Sequence, residues 1–250
     1  MAPGASKAFA WTPPTPAGAK AGRAALERWV DRHGGRNRWS DLPPLTCEVT
    51  LGWAATARML LPNTPETGPR TRFSVHFEAD KARLDFGDSR ESCWGFDSRE
   101  AWTSEGGLRT YGQVAQVDRF VRAIAWYASM PHKLLDPAVQ HVLVNGDSDA
   151  HIGIGFGTEG GRTGDRMQAL FEAGRLVLLR HTARDLGAEI QAAARFLRWQ
   201  EVQGVWVPAE VRVSLEAPVA IQDAQVLGFQ DWRPFEASST GFEKPTSDLR

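Results

Sequence analysis

The chain has 250 residues, close to the roughly 250 to 300 at which a single hydrophobic core stops growing, so one domain is the expectation. Its 42% hydrophobic and 24% charged residues are the composition of a soluble globular protein and exclude disorder, collagen and coiled coil as descriptions of the whole. Twenty-nine Lys and Arg against 30 Asp and Glu leave a net charge of -1, so there is no basic surplus for a phosphate backbone and nucleic acid is not an expected partner.

Residues 1–21 hold Pro3, Pro13, Pro14 and Pro16 among Ala, Gly and Thr. Such a segment buries too little apolar area to offset its ordering entropy, and a flexible leader is predicted. Within it, Ala8-Phe9-Ala10 has the small-x-small pattern of an export cleavage site, but no apolar run precedes it. As written, the sequence points to the cytoplasm; removal of an upstream export signal would instead place the protein in the periplasm or cell envelope. From Arg23 to His33, the residues Leu26, Trp29, Val30 and His33 recur at helical spacing, and Gly34-Gly35 supplies a left-handed stop. A short amphipathic helix is predicted there.

From Leu45 onward the apolar period shortens to that of a strand. Phe73, Val75 and Phe77 alternate with Arg72, Ser74, His76 and Glu78, as in a half-buried strand. Alternation recurs at Leu84 and Phe86, over 152–156, 176–181 and 196–200, and at Val211, Val213 and Leu215. Asp88-Ser89, Glu105-Gly106-Gly107, Glu159-Gly160-Gly161 and Ala173-Gly174 are hairpin tips on this reading. About ten to twelve strands with short connections result, which antiparallel pairing permits.

One strong helix interrupts them, because Phe120, Val121, Ile124, Tyr127 and Ala128 form an apolar stripe between Asp118 and Pro131. The expected fold class is therefore mainly β (α+β): a large antiparallel sheet curled into an unclosed barrel, with one or two helices plugging its concave face. Residues 22–235 form the predicted domain and 236–250 a flexible tail. No stretch is apolar enough to span a membrane.

The order of these elements carries a resemblance. A helix ending in His33-Gly34-Gly35 precedes Trp39 and Leu42, then come a long meander and the aromatic hairpin Trp94-Gly95-Phe96-Asp97-Ser98-Arg99-Glu100-Ala101-Trp102. The second helix runs into Met130-Pro131-His132-Lys133-Leu134-Leu135, and Val202-Gln203-Gly204-Val205-Trp206-Val207-Pro208 follows later. Together they resemble the LolA-like superfamily of bacterial lipoprotein carriers. The resemblance implies an open antiparallel barrel with helices on its concave side, an apolar cavity for acyl chains or another hydrophobic ligand, and residence in the cell envelope. The sequence departs from that pattern in lacking a signal peptide and in Ser98-Arg99, where relatives often carry a Gly turn.

Other motifs carry little. Gly155-Phe156-Gly157-Thr158-Glu159-Gly160 matches the dinucleotide fingerprint letter for letter, but that motif needs a helix after it, and the residues from Met167 to Phe171 and Leu176 to Leu179 read as strands. Asp85-Phe86-Gly87 copies a kinase triplet without its context. The six His show no metal-ligand spacing, so no metal or cofactor is expected. Cys47 and Cys93 permit at most one bridge and read as small buried hydrophobes, with their pairing left open.

The candidate site residues are aromatic and polar. Trp94, Trp102, Phe120, Ile124, Trp126 and Tyr127 are the expected lining of a cavity that binds a lipid, acyl chain or similar apolar molecule. Asp97, Arg99 and His132 sit among them in the chain. In a desolvated lumen such groups serve acid-base chemistry, which defines the rival reading, a cofactor-independent cyclase, isomerase or hydrolase. Otherwise Asp97, Arg99 and Glu100 form a solvated hairpin tip and His132 caps the helix before it.

Overall fold

A computed structural model describes residues 15–60, 71–87, 92–97, 100–104, 114–135, 139–145, 148–157, 163–183, 190–235 and 242. The expected leader up to residue 14, the tail apart from residue 242, and the hairpin tips at 88–89, 105–107 and 159–161 lie outside them. The helices are α1 (Pro16–Arg32), α2 (Arg36–Ser40), α3 (Ala55–Leu60) and α4 (Val114–Ala128), and a 3-10 turn spans His132–Leu135. The strands are β1 (Leu45–Trp53), β2 (Arg72–His76), β3 (Lys81–Phe86), β4 (Ser92–Asp97), β5 (Ala101–Ser104), β6 (Val139–Asn145), β7 (Ser148–Gly157), β8 (Thr163–Glu172), β9 (Arg175–Ala183), β10 (Ile190–Val202), β11 (Val205–Ala217) and β12 (Ile221–Pro234).

The protein is mainly β. Its sheet runs β5-β4-β3-β2-β1-β12-β11-β10-β9-β8-β7-β6, so all but one pair of neighbours are consecutive in sequence, and β5 and β6 end the order without pairing to each other. The sheet is antiparallel and not closed, and this much of the expected fold is borne out. The Gly-rich fingerprint falls at the end of β7, with β8 rather than a helix after it. Its last three residues lie outside the described set.

The chain divides into two compact units. The first comprises residues 1–33, 131–196 and 212–224. Here α1 begins at Pro16, seven residues before the expected Arg23. Proline at the first helical position needs no partner for its missing N–H, and the Thr15 hydroxyl accepts the Gly18 N–H at 3.2 Å, so a segment that reads as leader starts a helix. This helix packs on β6, β7 and the 3-10 turn. Trp29 stacks on Phe171 of β8 at 4.9 Å, and the Arg32 guanidinium lies 4.4 Å from the same indole. Ile152, Ile154, Ala169, Leu179, Ala192 and Ala194 are buried on the strands. Ala173 and Gly174, at φ 47° and 82°, form the expected β8–β9 hairpin tip.

The second unit comprises residues 34–130, 197–211 and 225–250. Strand pairing sorts its residues to two faces. Leu45 opposes Val75, Val75 opposes Ala82 and Ala82 opposes Phe96, which puts these residues on one face with Phe73, Leu84 and Trp94. The helix α4 packs on β3, β4 and β5. Its residue Arg122 reaches Phe96, the guanidinium lying 4.3 Å from the ring, and pairs with Asp80 at 3.3 Å. From Gln225 onward the buried residues of β12 run Gln225, Leu227 and Phe229 in steps of two, then skip to Trp232. The pairing with β1 slips at that point: Glu48 opposes Gln230 while Thr46 opposes Arg233, and Asp231 takes φ 56°. This bulge returns Trp232 to the apolar face, where it stacks on Phe229 at 5.5 Å and meets Phe73 edge-on at 6.1 Å.

Cys47 and Cys93 are both buried, on β1 and β4, and no disulfide joins them. Burial pushes the Cys47 thiol well above its usual range. No helix among the described residues is long and apolar enough to cross a membrane.

Candidate functional site

The stripe expected on the second helix is the face of α4 that is buried. Phe120, Val121, Ile124, Tyr127 and Ala128 all lie inside. Trp126, off the stripe, is half-buried and meets Tyr127 edge-on at 5.1 Å. Burial raises the pKa of the Tyr127 hydroxyl, so it stays protonated. Across the layer from α4, Trp53 at the end of β1 meets Phe120 edge-on at 5.5 Å. Trp53 is missing from the expected lining. Its signal was present in the sequence, since Leu45, Cys47, Val49, Leu51 and Trp53 alternate without interruption.

The Trp53 indole Nε1 is buried and has no hydrogen-bond partner among the described residues. A buried donor left unmatched costs about 1–3 kcal/mol. Such an N–H can orient a ligand by its acceptor oxygen.

The aromatic hairpin divides between the two faces. Trp94 opposes Leu84 and lies on the apolar face, half-buried and edge-on to Phe86 at 5.2 Å. Trp102 opposes Gly95, on the other face, and is buried. The sheet therefore does not bring these two indoles together. A side chain at Gly95 would run into the Trp102 ring, with Cβ 2.7 Å from Cε2. Gly95→Ala is expected to lower stability by about 2–3 kcal/mol and to alter the near-ultraviolet circular dichroism as the indole shifts. An unchanged spectrum and melting temperature would refute this packing. Trp102 Nε1 is likewise buried without a partner among the described residues, and Arg83, paired with Asp85 at 2.6 Å, lies 5.9 Å from its ring.

Of the polar candidates, Asp97 accepts the Glu100 N–H at 3.2 Å, an exposed bond that shapes the hairpin turn. Arg99 lies outside the described residues. His132, half-buried, opens the 3-10 turn and belongs to the first unit, while Asp97 belongs to the second.

No family model matches the chain, and no curated protein does. Solved structures do. A LolA superfamily protein from Nitrosomonas europaea is similar at 13% identity and a TM-score of 0.49, over 89% of this chain and 97% of that one. A domain described as an outer membrane lipoprotein-sorting protein, from Vibrio parahaemolyticus, is similar at 12% identity and a TM-score of 0.45, over 90% of this chain and 95% of that one. A DUF1329 family protein from Desulfovibrio piger is similar at 10% identity and a TM-score of 0.44, over 90% of this chain and 97% of that one.

Proposed function

We propose that this chain is a binding protein that holds one hydrophobic molecule, a lipid or acyl chain, in the apolar layer between α4 and strands β1 to β5 of the second unit. The reading is carried by the indole N–H of Trp53, buried beside Phe120 and without a hydrogen-bond partner among the described residues. A carbonyl or carboxylate oxygen of the ligand accepts from that N–H, and its chain replaces the contacts that Phe120, Ile124 and Tyr127 make when the layer is empty. Affinity is then a difference: apolar area removed from water, worth about 25 cal/mol per Å², less the contacts of α4 that the ligand displaces. No cofactor takes part. LolA-like proteins, which the sequence resembles, supply the same class of function.

Denaturing the purified protein and analysing the extract by mass spectrometry should release a hydrophobic molecule, and the delipidated protein should bind cis-parinaric acid at about one per chain. Trp53→Phe keeps an aromatic ring and removes the donor, so it should weaken binding about tenfold with little change in melting temperature. Asp97→Asn and His132→Ala should leave affinity unchanged. No extracted molecule together with no probe binding would end this reading. Conversion of a bound molecule that collapses in Asp97→Asn or His132→Ala while binding survives would establish the enzyme in its place.

A further inference from the structure

The C-terminal end of α1 is held by a buried imidazole. His33 directly follows the helix and has 0% of its surface exposed. Its Nδ1 lies 2.8 Å from the Trp29 carbonyl, and its Nε2 lies 3.3 Å from the Leu176 backbone nitrogen at the start of β9. A carbonyl only accepts and a backbone amide only donates, so a single form of the ring serves both: neutral, with its proton on Nδ1. Two further contacts join the same parts of the first unit. Arg175 donates to the Arg32 carbonyl at 3.1 Å, and Trp29 stacks on Phe171 at the end of β8.

A second proton would have to go on Nε2, the atom that accepts from Leu176. It would set N–H against N–H and place a cation, out of reach of water, next to the Arg175 guanidinium. We propose that His33 is an acid-released latch: protonation of Nε2 breaks its bond to Leu176 and frees the last turn of α1 from the β8–β9 hairpin, uncovering apolar surface around Trp29 and Phe171. This does not rest on the ligand reading above, since every group involved belongs to the first unit.

Burial lowers the pKa of His33 from 6.5 to about 4, against the raising effect of the Trp29 carbonyl and with a smaller lowering contribution from Arg175. Next to this joint in the chain are Asp31 and Arg32 on α1 and Glu172 on β8. Further along the same elements lie Lys20, Arg23, Glu27 and Arg28 on α1, Asp165 and Arg166 on β8, and Arg180 and His181 on β9. The other elements packed on α1 carry His132 and Lys133 on the 3-10 turn, His141 on β6, and Asp149 and His151 on β7. Once released, the ring takes up a proton near its ordinary value; latched, it refuses one until about pH 4. The latch is therefore fully effective above about pH 6.5 and weakens as pH falls toward 4, beyond which no further loss follows. Between pH 7.5 and pH 5.0 the opening equilibrium should rise roughly 30-fold.

Two measurements on the full chain test this. With ¹⁵N-labelled histidine, the ring that disappears in His33→Gln should report the Nδ1-protonated neutral form at pH 7.5 and show no titration step near pH 6.5. Amide exchange, corrected for its intrinsic pH dependence, should accelerate roughly 30-fold at Leu176 and in the last turn of α1 on going to pH 5.0, while β1 and β2 of the second unit keep their protection. In His33→Gln, which offers a donor and an acceptor but no titration, that acceleration should vanish. A His33 ring titrating near 6.5, an unchanged rate at Leu176 in the wild type, or the same acceleration in the glutamine variant would each overturn the proposal. Should the variant not fold, wild-type exchange at Leu176 decides alone.

Discussion

Replacing Gly34 by alanine is expected to lower the urea midpoint by more than about 1 M, one of the largest effects of a single methyl group in this chain. Gly34 sits at φ 114°, where a Cβ is strained whatever its surroundings. Its surroundings are closed as well: the added carbon would lie 2.6 Å from the Gly204 carbonyl oxygen and 2.7 Å from the Val205 Cα. Both are backbone atoms of the turn between β10 and β11, which Arg38 of α2 also holds by donating to the Gly204 carbonyl at 3.3 Å. A flexible side chain could swing aside, but a turn with Gln203 and Gly204 both at positive φ cannot shift without losing its strand register. Backbone strain of about 1–3 kcal/mol and overpacking of about 1–3 kcal/mol together remove a large part of an ordinary folding free energy. A midpoint within about 0.3 M of the wild type would show that the turn yields, contrary to this packing.

Trp232→Ala should cost about 3–5 kcal/mol, measured as the shift in the urea or thermal transition. The indole fills the center of a cluster with Phe73 and Phe229, and its Nε1–H donates to the Pro208 carbonyl at 3.0 Å. Alanine opens a cavity and leaves that carbonyl, on buried Pro208, without its donor. Trp232→Phe separates the two effects: it keeps most of the ring and removes the donor, so about 1–2 kcal/mol of the loss should persist. An equal loss in both variants would mean that the hydrogen bond, not the cavity, dominates. The converse, no loss for phenylalanine, would make the Pro208 contact incidental.

The strands were legible because a half-buried strand has to alternate, and Phe73, Val75, Leu84 and Phe86 do so whichever neighbours they acquire. The helix α4 was legible for a similar reason, its stripe from Phe120 to Ala128 matching one helical face. The start of α1 was not: Pro13, Pro14 and Pro16 look like a leader until Thr15 is seen to cap the helix that Pro16 begins. Short α2 and α3 carry no periodicity worth detecting, and α2 is anchored by Trp39, buried edge-on against Phe77. The candidate site was legible in part. Phe120, Ile124 and Tyr127 came from the stripe, whereas Trp53 needed its partner on α4 to be recognised as part of the same layer.

Period and composition are local properties, so the sequence by itself determined that this is an antiparallel β protein with two substantial helices and an apolar stripe on the second. Which face each residue occupies depends on register. A pairing of Gly95 with Trp102 turns that indole away from Trp94, and one extra residue in β12 brings Trp232 back among Phe73 and Phe229. The state of His33 was also beyond the sequence, where it is one more helix position after Trp29 and Val30. Only the folded chain places the Leu176 amide, 143 residues away, against its Nε2 and removes the water that would otherwise let the ring take a second proton.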